Sequence, residues 1–135
     1  MDFRHLERFQ PQLRAILRIM TALLFMEHGL AKLFHFPVPQ PGTPDPLPTI
    51  LVAAAWIEVV GGALLTVGLF TRLAAFLCAG EMAVGYFMFH FPKGFWPIVN
   101  MGEGAILFCF IFLYLVAAGP GAWSLDAVRM KKPLP

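Results

Sequence analysis

Four acids and two imidazoles stand in stretches that are otherwise apolar enough to lie in lipid: Glu27, His28, Glu58, Glu81, His90 and Glu103. Acids and imidazoles held together suit proton chemistry, because a histidine titrates near neutrality and a desolvated glutamate is raised towards it. Lys32 and His35 follow His28 at i+4 and i+7 and share its helix face, and Glu58 shares a stripe with Ala54 and Gly62. A charge near the centre of a spanning helix costs about 2.5–3.5 kcal/mol, whereas each Leu, Ile or Phe returns only about 0.3–0.6 kcal/mol. These groups must therefore meet partners inside a bundle. Other chemistries lack their residues: no HExxH, nucleophile elbow, phosphate loop or dinucleotide fingerprint is present. Di-metal carboxylate bundles need Glu-x-x-His on two helices, but Glu27 and His28 are adjacent and point about 100° apart, so no metal site is predicted. Cys78 and Cys109 form no CxxC pair, lie at different depths, and read as packing residues.

The elements that must position this set are membrane helices. Of the 135 residues, 59% are hydrophobic and only 13% charged, against roughly 25% charged in ordinary soluble domains. The mean hydropathy is +0.72. The pattern predicts an all-α integral membrane protein, a single domain over residues 1–135 with four spans at about 14–36, 49–70, 73–91 and 102–118. Phe3, Leu6 and Phe9 among Arg4, His5 and Arg8 suit a short interfacial segment that Pro11 ends. Residues 37–48 hold six prolines and form an extended linker outside the bilayer. Ser124 stands where it would N-cap a short amphipathic tail helix. No cleavage site follows the first apolar run, so that run is expected to be a retained helix.

Arg4, Arg8, Arg14, Arg18, Arg72, Arg129, Lys131 and Lys132 gather on one side of the four spans, so both termini are expected in the cytoplasm of a multi-pass inner-membrane protein. The formal charge is only +2, which excludes nucleic acid as a partner class. Each span then contributes a carboxylate, and most of the polar set falls in the outer half. The functional reading is a polar chamber open to the outside; its rival is an ion-pair network that only fixes helix register. Lys32 and His35 also fit snorkelling to the interface, and Glu103 fits an acid at a helix N-terminus.

These motifs carry a resemblance. Leu17-Arg18, Phe25-Met26-Glu27-His28-Gly29-Leu30-Ala31-Lys32, Glu58-Val59-Val60-Gly61-Gly62, Gly68-Leu69-Phe70-Thr71-Arg72, Gly80-Glu81, His90 with Pro92, Asn100-Met101-Gly102-Glu103 and Ser124-Leu125-Asp126 resemble the DoxX family of small four-helix bacterial membrane proteins. Met101 departs from the pattern, since the family commonly has a second glycine there. The resemblance implies links to quinone-dependent redox systems. Phe25, Phe34, Phe87, Phe89 and Trp96 would then supply an apolar slot for a quinone, with Lys32 and Asn100 as polar contacts. His28 and His90 would serve as proton donors or carbonyl partners, and Glu27, Glu58, Glu81 and Glu103 would orient them and relay protons. Because no cofactor motif is visible, a redox partner protein is expected to deliver the electrons; a homo-oligomer stands beside it among candidate partners. Two further readings are a proton or small-solute pathway and a non-catalytic membrane subunit.

Overall fold

The structure is a computed structural model that describes residues 1–130. Lys131 and Lys132, two of the cations used to orient the chain, lie outside the described residues. Among the described residues every regular element is helical. A 3-10 segment, Arg4–Phe9, leads into α1, Gln10–Phe34; α2 is Thr49–Val67 and α3 is Thr71–Gly85. The axis of α3 continues through a π-helical turn, Tyr86–His90, and a 3-10 turn, Phe91–Lys93. The short α4, Pro97–Asn100, precedes α5, Glu103–Ala118, and the tail helix α6, Leu125–Met130.

Local chemistry sets these limits. Pro11 opens α1 rather than ending the segment before it, because in the first helical turn its missing N–H has no partner to lose. α2 stops at Val67 because Gly68 takes the left-handed conformation at φ 69°, and the Leu69 amide closes back on the Leu64 carbonyl at 2.9 Å. Leu69 and Phe70 therefore lie in the turn and not in the second span. The sequence pattern missed α4, since a single turn carries no periodic signal. Ser124 caps α6 as expected, its Oγ accepting the Ala127 amide at 3.0 Å.

The helices pair as α1 with α2 and α3 with α5, and contacts of α2 with α3 join the pairs. Small residues let α1 approach α2: a methyl group at Gly29 would stand 2.6 Å from the Ala55 carbonyl oxygen, and one at Gly62 2.7 Å from Met26 Cβ. The core gathers Ala22, Phe25, Leu65, Cys78, Phe112 and Leu115, with Ala74, Ala75 and Ala79 of α3 making room for the rings of α5. The bundle turns most of its large apolar side chains outward, including Leu13, Leu24, Leu73, Phe76, Leu107 and Phe110. A soluble monomer does not expose apolar surface on that scale; lipid accounts for it. Among the described residues two helices, Thr49–Val67 and Thr71–Lys93, are long and apolar enough to cross a bilayer, with mean hydropathies of 2.1 and 1.4, and α5 is a shorter apolar helix.

Candidate functional site

The site forms where α1, α2 and α3 meet in the half of the bundle nearer the proline-rich linker. Lys32 stands on the last turns of α1, and the close approach at Gly29 carries it to the middle of α2. Its Nζ donates to Glu58 Oε1 at 2.7 Å, with the Glu58 side chain 2% exposed and that of Lys32 12%. Glu81, on the facing side of α3, lies within hydrogen-bonding reach of Glu58 and in the field of Lys32. Glu58 Oε2 and Glu81 Oε2 are both buried and have no hydrogen-bond partner among the described residues. Two carboxylates around one ammonium leave one negative charge over, in a place where an unpaired buried charge costs several kcal/mol. A single proton would close that deficit.

Lys32 also borders a cavity of about 170 Å³ roofed by the linker, whose polar walls come from His35, Gln40, Thr43 and Asp45. It is large and polar enough to hold several waters. Gln40 also meets His28, its Oε1 3.4 Å from Nδ1.

A second polar group sits at the same end between α3 and α5. Asn100 is fully buried; its Nδ2 donates to Gly94 O at 2.8 Å and to the Tyr86 hydroxyl at 3.1 Å, and its Oδ1 accepts the Gly102 amide at 2.8 Å. Its carbonyl lies 3.0 Å from His90 Nδ1. Met101 follows in the left-handed conformation, φ 60°, which costs a non-glycine residue about 1–2 kcal/mol and explains why glycine suits this position.

The opposite end, which carries the amino-terminal segment and the tail, is closed by arginines. Arg18 is fully buried in α1 and donates to the carbonyls of Leu65 and Trp123 at 2.9 Å each, of Ala122 at 3.3 Å, and of Pro120. Arg14 reaches Ala118 O at 2.9 Å, and Arg72 reaches Val116 O and Ala117 O at 2.7 and 2.6 Å. Arg14 and Arg72 thus occupy the carbonyls that the end of α5 leaves unpaired. Asp126 returns from α6 to cap α3, accepting the Phe70 and Thr71 amides at 2.9 and 2.8 Å. Burial pushes the Asp126 carboxyl up, but these amides and the Arg129 charge outweigh it and hold it below its ordinary 3.8.

With that geometry in place, relatives can be compared. The family model described as DoxX matches residues 13–91, which hold most of α1, all of α2 and α3, and all three members of the Lys32–Glu58–Glu81 cluster. The chain belongs to the DoxX family. It is 46% identical to an uncharacterized protein of Haemophilus influenzae over 95% of this chain and 98% of that one. It is 27% identical to the uncharacterized membrane protein Rv3486 of Mycobacterium tuberculosis, covering 86% and 80% of the two chains. It is 29% identical to the inner membrane protein YqjF of Escherichia coli, covering 87% and 92%. No solved structure matches the chain. This DoxX chain is a membrane protein.

Within the DoxX bundle the residues singled out from sequence divide sharply. Lys32, Glu58 and Glu81 converge, and His90 joins Asn100. Glu27 and His28 do not form the wall expected of them: both are exposed, and His28 packs its ring against Phe108 with centroids 5.9 Å apart. His28, Lys32 and His35 share a helix face by spacing, yet only Lys32 is turned inward. Glu103 is exposed at the first turn of α5, where the helix dipole favours an acid. Phe25 is a core residue, 1% exposed and edge-on to Phe112, while Phe34, Phe87, Phe89 and Trp96 are exposed and scattered, so these five rings enclose no common slot. Sequence reasoning missed two residues. Arg18 read as a topology signal, although an arginine four residues inside an apolar run from Arg14 already demanded buried acceptors. Tyr86 went unnoticed, although it precedes His90 by one helical turn.

Proposed function

We propose that this DoxX chain crosses the inner membrane four times with both termini in the cytoplasm, and that its Glu58–Glu81 pair holds and exchanges a proton in quinone-linked redox chemistry. One observation carries the proposal: two neighbouring glutamates on different helices, beside a single lysine, each keep a buried carboxylate oxygen with no partner among the described residues. Lys32 fixes the charge on Glu58, the pair shares one proton, and the cavity beside Lys32 supplies water from the exterior. A quinone that is reduced takes up two electrons and two protons; the chain's own residues deliver protons, and a partner redox protein delivers electrons. The family resemblance supports the quinone, and the relative called an inner membrane protein supports the location.

The experiment is difference infrared spectroscopy on the purified protein in lipid, together with quinone reduction in membranes. A protonated carboxyl band near neutral pH that disappears in Glu81→Gln is expected, with quinone-dependent proton uptake lost in Glu58→Gln. No such band, or unchanged uptake in both variants, overturns the proposal. A proton or small-solute pathway is the second reading, and the cavity beside Lys32 favours it. It requires the Arg18 clamp to open, so a proton flux through liposomes containing this protein alone would select it.

A further inference from the structure

The Asn100 network fixes more than a loop. Because Asn100 Nδ2 donates to Tyr86 Oη, that oxygen's lone pair is engaged and the phenol proton must point elsewhere; no acceptor for it exists among the described residues. The alternative amide orientation would set Asn100 Oδ1 against the Gly94 carbonyl and its NH₂ against the Gly102 N–H, so the assigned one stands. His90 Nδ1 faces the Asn100 carbonyl at 3.0 Å, so Nδ1 carries the proton and Nε2 is left bare in the neutral ring. The two rings lie nearly parallel, 24° apart in plane with centroids separated by 6.1 Å. Gly102 lets Tyr86 lie flat, since a methyl group there would stand 2.5 Å from the ring. The result is one phenol O–H free to donate and one bare ring nitrogen on neighbouring, nearly parallel rings. Around them Phe87 and Phe91 turn apolar rings towards lipid, at 5.3 and 6.5 Å from Tyr86.

We infer that Tyr86 and His90 form a binding station for one head-group oxygen of a lipophilic ligand that alternates between carbonyl and hydroxyl, with Asn100 as the positioning residue. The carbonyl accepts from Tyr86; the hydroxyl also donates to His90 Nε2. The ligand's apolar tail leaves through the Phe87–Phe91 surface. The ligand class rests on the quinone-linked reading above, whereas the station itself rests on Asn100 and does not involve Glu58 or Glu81.

The test uses the purified full-length protein in lipid nanodiscs and a benzoquinone bearing an alkyl tail, added in oxidised or reduced form. Tyr86→Phe should weaken both forms about 3–10-fold, the factor expected for one hydrogen bond. His90→Leu should weaken only the reduced form, a selectivity that loss of packing would not produce. Nitrogen-15 shifts of labelled His90 should show Nδ1 protonated and Nε2 bare in the free protein. Equal binding by wild type and both variants, or a protonated Nε2, overturns the station and leaves the proton reading of Glu58 and Glu81 standing. Wild-type protein that binds neither form overturns the station together with the quinone part of that reading.

Discussion

The two ends of this bundle bury charge in opposite ways. At the tail end, Arg18 has no exposed surface, and its guanidinium is met by four carbonyls from the α2 terminus and the segment after α5. Backbone carbonyls of the α2 terminus and of the loop after α5 supply the partial negative charge, and the Asp126 carboxylate adds its field. At the linker end the buried charges are side chains on three helices, and they do not balance: Lys32 meets Glu58, while among the described residues one oxygen of Glu58 and one of Glu81 go without a partner. A satisfied charge holds a structure together. An unsatisfied pair asks for a proton, and that demand is what the proposed proton exchange draws on.

The sharpest way to break this contrast is Arg18→Ala. It strands several buried carbonyls at about 1–3 kcal/mol each, so a loss above about 3 kcal/mol is expected in detergent unfolding, and Arg18→Lys should restore little because an ammonium lacks the planar fork. A variant as stable as wild type would remove the clamp from the account. Next in size is Lys32→Met, which leaves Glu58 buried and unpaired and should cost about 3–5 kcal/mol. Here the contrast predicts rescue: the double variant Lys32→Met with Glu58→Gln should recover most of that stability while its proton exchange stays lost. Rescue of both properties together would make the cluster purely structural.

The smallest effect concerns the tail latch. Asp126→Asn should cost about 0.5–2 kcal/mol, in the range of a lost helix cap. Since the folded carboxyl titrates below its ordinary 3.8, the latch contributes fully above that value and is lost as pH falls through the lower folded value. The pH dependence of melting below about pH 4 should therefore flatten in Asp126→Asn. An unchanged slope would show that the latch contributes nothing.

Legibility followed the range of the interaction. Helix identities and the Ser124 cap rest on neighbours within a few residues, and the sequence reading found them; the stop at Gly68 is just as local, yet the apolar run carried the expected second span on to Phe70. Rotation about the α1 axis does not. Spacing put His28, Lys32 and His35 on one face, but that face is wide enough for Lys32 to turn inward while both imidazoles remain exposed. Phe25 shows the same limit: an aromatic in an apolar helix reads alike whether it lines a slot or, as here, packs on Phe108 and Phe112.

Composition and apolar run length by themselves determined that this is a helical membrane protein, because burying a helix in lipid demands a continuous apolar segment whatever its neighbours are. The motifs determined its family. Only the tertiary structure decided that, of four carboxylates in the apolar segments, Glu58 and Glu81 meet at Lys32 while Glu27 and Glu103 face outward. That choice depends on the close approach of α1 to α2 at Gly29 and on the packing of α3 beside them, and such contacts join residues too far apart in sequence for any local pattern to record.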